Sequence, residues 1–153
     1  MKPLLLIGLG NPLMGDDGIG CHVAGRLAGD PRLPERVEVI SGGTDLLRYA
    51  GLMEGRSRVF IADAIHDDAE PGAVSVFEDA LPGLGERQEH AHHLSAVQAI
   101  GLLRILMPVR FTLLAISISS AAMERGLSPA LDAQTPAIVD RVLDIMTAYD
   151  ALP

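Results

Sequence analysis

Short apolar runs alternate along the chain with stretches whose apolar residues recur every three or four positions. Leu4 to Leu9, "LLLIGL", is continuous and apolar and ends at Gly10, the pattern of a strand covered on both faces. From Gly18 to Ala28, Ile19, Val23 and Leu27 fall on one side of a predicted helix. Val37–Ile40 predicts a second strand, closed by "SGGT", with Thr44 expected to cap a following helix and Asp45 in its first turn. Val59–Ala62 predicts a third strand ending at Asp63. "HDDAEPG" is a polar bend, Ala73–Phe77 a short β-prone run, and Leu81–Glu89 a loop. The segment from His90 to Met107 opens with three histidines, continues as an apolar helix, and is stopped by Pro108. Val109–Ser117 predicts the last strand. Thr135 and Pro136 are expected as cap and first residue of a closing helix lined by Ile138, Val142, Ile145 and Tyr149.

Strands in alternation with helices predict an α/β fold. The expected form is a three-layer, doubly wound sandwich, with a mostly parallel twisted sheet of about five strands and helices on both faces. No repeat or linker divides the chain, so residues 1–153 are expected to form a single domain. In such a sheet ligands sit beyond the carboxyl ends of the strands. Asp16 and Asp17 follow the first strand and Asp63 ends the third. If those strands are neighbours, the acids face one another.

Composition narrows the chemistry. Apolar residues make up 48% of the chain, enough for a core without staples. No apolar run reaches the roughly 18–20 residues of a membrane span, and no basic leader precedes the first strand, so no membrane association and a cytoplasmic setting are expected. One cysteine, Cys21, excludes an intrachain disulfide and a multi-cysteine metal cage, and beside an apolar helix face it is expected to be a small buried residue. A net charge of −8 argues against nucleic acid as a partner.

The glycine-rich opening, "GLGNPLMGDDGIG", has Gly8 and Gly10 where a dinucleotide-binding turn has its first two glycines, but Leu13 where the third belongs. Asp16 and Asp17 would repel a phosphate, and no G-K-[ST] follows. Asp near a helix start also serves as an ordinary cap. Three of the five histidines, His90, His92 and His93, stand together before a predicted helix. One imidazole and two carboxylates from separate loops suit a first-row divalent ion with positions left open. His22 and His66 are read as surface and loop residues.

With these motifs in order, the chain resembles the [NiFe]-hydrogenase maturation endopeptidases over nearly its whole length. The resemblance rests on "GLGNPLMGDDGIG", "SGGT", "IADAI" (61–65), "HHLSAVQAI" and "GLSP" (126–129), although the family commonly has Asp where Ser41 stands. It implies an endopeptidase that removes the C-terminal extension of a [NiFe]-hydrogenase large-subunit precursor after nickel insertion. It further implies nickel supplied by that substrate and contacted by Asp17, Asp63 and a histidine. His92 fits the family's H-x-L best, with His93 and His90 as alternatives. Asp17 and Asp63 are then the catalytic acids, and Gly42, Gly43 and Thr44 bind the substrate strand. Two other readings follow from the same residues. One is an autonomous metallohydrolase of the same fold. The other is a peptidyl-tRNA hydrolase-like esterase, whose chains share "GLGNP" but continue with a basic segment.

Overall fold

The computed structural model describes residues 1–82, 95–119 and 125–152. Five strands form one sheet in the order β2-β1-β3-β5-β4: β1 Leu4–Leu9, β2 Val37–Gly43, β3 Arg58–His66, β4 Val74–Phe77 and β5 Arg110–Ile118. β2, β1, β3 and β5 are parallel, and β4 pairs antiparallel with β5 at one edge. The helices are α1 Ile19–Leu27, the single turn α2 Ala50–Met53, α3 Ala96–Leu106 and α4 Pro129–Asp150. Among the described residues no helix is long and apolar enough to cross a membrane.

The continuous apolar strands are explained by a core on each face. Leu4 and Leu6 of β1, Phe60 and Ala62 of β3, and Leu114, Ile116 and Ile118 of β5 pack against α1 and α4. Their alternates, Leu5, Ile7 and Leu9, Val59 and Ile61, and Phe111, Leu113 and Ala115, pack on the other side with Ala99, Ile100 and Leu103 of α3. Side chains two apart share a face of the sheet, so a strand covered on both sides needs apolar residues at every position.

Two expected helix starts differ from those found. α4 begins seven residues earlier than its Thr135-Pro136 pair predicts. Ser128 caps it, its Oγ accepting from the Leu131 N–H at 3.3 Å, and Pro129 is the first helical residue. Pro136 lies inside the helix, where the Thr135 hydroxyl donates to the Leu131 carbonyl at 3.0 Å. After "SGGT", Thr44 caps no long helix. Asp45 accepts from the Leu47 N–H at 3.1 Å instead, opening a 3-10 turn, Leu47–Tyr49, that leads into α2. β3 also runs on to His66, beyond Asp63, because its pairing with β5 continues to Ile118.

Candidate active site

β1 and β3 are neighbours, in register from Leu4 opposite Arg58 to Gly8 opposite Ala62. The loop after β1 and Asp63 of β3 therefore share the carboxyl pole of the sheet. The loop is a kinked 3-10 segment, Pro12–Gly18, in which Gly15 takes φ +55°. Asn11 opens it, its side-chain oxygen accepting from the Leu13 N–H at 3.0 Å. The Asn11 N–H in turn donates to Asp17 Oδ2 at 2.9 Å. This bond crosses the base of the loop and fixes the Asp17 carboxylate.

The adjacent acids have separate tasks. Asp16 is buried, and its carboxylate accepts from the Ser128 N–H at 2.7 Å and the Ser128 hydroxyl at 2.9 Å. It ties the loop to the start of α4. Asp17 remains half-exposed and lies close enough to Asp63 to disfavour that residue's charge. The resemblance singled out Asp17 but gave Asp16 no task of its own. The signal for that task is "GLSP", whose Ser128 supplies both donors to Asp16.

The glycines of the opening loop serve packing. A Cβ on Gly20 would stand 2.2 Å from the carbonyl oxygens of both Ala62 and Leu9. One on Gly8 would stand 2.2 Å from the Gly20 carbonyl oxygen. α1 thus rests directly on the backbones of β1 and β3, which side chains at these positions would prevent. Cys21, on the same helix, is buried and donates its thiol to the Gly8 and Gly10 carbonyls at 3.5 and 3.4 Å.

Asp63 is half-buried beside a small recess of about 110 Å³ walled by Ile65, Pro82, Ala96, Val97 and Leu113. Burial among these groups pushes its carboxyl up to about 7, and the Asp17 charge adds to the rise. The Ala64 N–H, donating to Asp63 Oδ1 at 2.9 Å, opposes it. At neutral pH the Asp63 carboxyl is therefore close to half-protonation, with Asp17 beside it. Such a pair takes up either a proton or a cation.

His92, with His93 and His90, lies outside the described residues, between Pro82 and Ser95. Among the described residues no group of three or more His, Cys, Asp or Glu side chains converges as a metal site. α3 starts at Ala96 with a capping box, Ser95 Oγ accepting from the Gln98 N–H and Gln98 Oε1 accepting from the Ser95 N–H. His66, at the end of β3, is exposed, and His22 on α1 is half-buried, its Nε2 enclosed without a partner among the described residues.

Gly42, Gly43 and Thr44 lie at the end of edge strand β2. Gly42 is buried, and a Cβ there would stand 2.7 Å from the Ile7 side chain and 3.2 Å from the Tyr49 ring. Gly43 takes φ +70° in open space, and its carbonyl accepts from the Gly10 N–H at 2.8 Å. Thr44 is exposed.

A model of the hydrogenase maturation protease family matches residues 21–145. The chain belongs to that family. It is 29% identical over 156 residues to the hydrogenase 2 maturation protease of Escherichia coli K12, across 98% of this chain and 95% of that one. Its fold matches the hydrogenase maturating endopeptidase HybD of E. coli with a TM-score of 0.74 at 27% identity, covering 97% of this chain and 94% of the other. The [NiFe] hydrogenase maturation protease HycI of Thermococcus kodakarensis superposes with a TM-score of 0.77 at 22% identity, covering 95% and 93%. The last comparison speaks for the fold alone. Membership makes this hydrogenase maturation protease a peptidase, and the three-layer fold expected from its strand order agrees with these relatives.

Proposed function

We propose that this protease removes the C-terminal extension of a [NiFe]-hydrogenase large-subunit precursor, and that it does so once the precursor carries nickel. The observation that carries the reading is the Asp17–Asp63 pair at the carboxyl pole, with Asp63 pushed up to about 7 by burial and by Asp17. Nickel belongs to the substrate here. A cation presented by the precursor takes the place of the proton on Asp63 and relieves its repulsion with Asp17. An unmetallated precursor offers the pair nothing to replace that proton. The two acids therefore distinguish the states of the substrate by charge. His92 is the proposed third contact.

Recognition of the metal positions the scissile bond of the precursor against the same acids. The oxygen of Asp63 turned away from the cation accepts the proton of the attacking water and returns it to the leaving amine. Asp17, held by the Asn11 N–H, faces the metallated substrate. The backbone of half-buried Gly43 and exposed Thr44, at the end of edge strand β2, takes the substrate strand by main-chain hydrogen bonding, while Gly42 shapes the turn against Ile7 and Tyr49.

The test is to mix the purified protease with nickel-loaded and nickel-free precursor and to follow the precursor's mass. Loss of a C-terminal peptide from the nickel-loaded form alone is the expected result. Equal cleavage of both forms removes nickel from recognition. Stoichiometric zinc or manganese in the purified protein, with hydrolysis independent of the precursor's metal, favours the autonomous metallohydrolase instead.

A further inference from the structure

The amino pole of the sheet, opposite the paired acids, carries a second polar site. Arg58 and Arg110 are the first residues of β3 and β5 and stand directly opposite each other in the parallel register. Adjacent strands lie roughly 4.8 Å apart, and like charges placed opposite one another repel. Arg58 is 13% exposed, and both its burial and the neighbouring Arg110 work against its charge.

A cavity of about 410 Å³ opens here, lined by Arg58, Arg104 and Arg110 with Glu78, Asp79 and Phe111. A second cavity, of about 190 Å³, shares Arg58 and Arg110 and adds Arg36. The chain has only 12 Lys and Arg and a net charge of −8, so four arginines at one pole are a concentration against its overall sign, although Arg36 is paired with Asp150 at 3.4 Å.

Neutralisation within the protein is partial. Arg58 donates to Glu78 at 3.3 Å and to the Thr112 hydroxyl at 2.6 Å, and its guanidinium lies 4.4 Å from the centre of the Tyr149 ring. Glu78 is shared, since its carboxylate also accepts from the Tyr149 hydroxyl. Arg104 donates to the Asp79 carbonyl at 3.0 Å and leaves the Asp79 carboxylate exposed. Arg110 is exposed and makes no ion pair or hydrogen bond among the described residues. Among the described residues, three guanidiniums and two carboxylates give the larger cavity an excess of positive charge.

We propose that this cavity binds an oxyanion group, phosphate or carboxylate, carried by a small ligand and held chiefly between Arg110 and Arg58, with Arg104 closing the far side. An anion seated there bridges the two register-paired guanidiniums and turns their repulsion into two charge-assisted hydrogen bonds. The volume exceeds that of a single phosphate and leaves room for the body of an organic anion. Asp63 lies five residues along β3 from Arg58, roughly 16 Å away, so this site is separate from the peptidase centre. It stands or falls independently of the function proposed above.

The test is isothermal titration calorimetry of the full-length protein with pyrophosphate and, separately, citrate, at constant ionic strength. One saturable site is expected, with a Kd below about 1 mM. The variants Arg110→Gln and Arg104→Gln, whose melting temperatures should match the parent, are expected to weaken it by about tenfold or more. Preference for pyrophosphate assigns a phosphate-bearing ligand, and preference for citrate a carboxylate-bearing one. No saturable binding of either anion, or binding unchanged in both variants, overturns the proposal.

Discussion

Asp16 holds Ser128 across 112 residues of sequence, through both the backbone N–H and the hydroxyl. The same hydroxyl caps α4, so one carboxylate fixes the acidic loop and the start of the longest helix together. Replacing Asp16 by Ala strips the half-buried Ser128 N–H of its acceptor. Stability should fall by about 1–3 kcal/mol in urea titration, as for other buried polar groups that lose a partner. Processing should fall as well, since Asp17 is the next residue on the loop.

Asp17→Asn and Asp63→Asn should behave differently from Asp16→Ala. Neither side chain carries a tertiary tie of that kind, so both variants should fold with stability close to that of the parent at neutral pH or above it. Processing should drop by at least about a hundredfold, the scale on which positioned acid–base groups act. Cleavage of the nickel-loaded precursor is the measurement, and activity retained in either variant removes that residue from the mechanism.

The Asp63 carboxyl sets a pH dependence of stability. Unfolded aspartate ionises near 3.9, and in the folded chain Asp63 ionises near 7. Between these values the folded state keeps a proton that the unfolded state has released. The favourable contribution is therefore complete below pH 4 and is lost as pH rises through 7. Urea denaturation at pH 5 and pH 8 should show Asp63→Asn gaining on the parent at the higher pH by about 1–3 kcal/mol, partial exposure moderating the effect. A difference that does not change with pH contradicts this.

Two glycines of α1 provide a matched pair. Gly20 faces the Ala62 and Leu9 carbonyls at a distance no Cβ tolerates, whereas Gly25 faces open space. Gly20→Ala should destabilise by about 3 kcal/mol or more and disturb the pole that carries the acids. Gly25→Ala should stabilise by about 0.5–1 kcal/mol, because alanine is the better helix former. Thermal melting of the two variants separates close packing from backbone freedom.

Much of the fold was legible because β1, β3 and β5 are covered on both faces and leave uninterrupted apolar runs. The strand–helix alternation predicts a parallel sheet but leaves its order open, and the meeting of Asp17 and Asp63 depends on the pairing of β1 with β3. The start of α4 was not legible by the same route. Ser128-Pro129 and Thr135-Pro136 are both cap-and-proline pairs, seven residues apart, and local chemistry does not rank them. Burial does, since Leu131 is packed in the core and draws the earlier turn into the helix. The task of Asp16 has the same origin, for it depends on a partner 112 residues away. The arginine pair at the amino pole depends on strand register, which neither Arg58 nor Arg110 reveals alone.

The acidic loop is fastened at its base by Asn11 and Asp17, on its flank by Asp16 and Ser128, and at its exit by Gly20 lying on two strand backbones. Its conformational entropy is spent during folding, before any substrate arrives. Binding then meets a surface already shaped, and little ordering cost is subtracted from each contact made at Asp17. Discrimination between substrates rests on how well they match a rigid template, so a small mismatch in charge or position is felt in full.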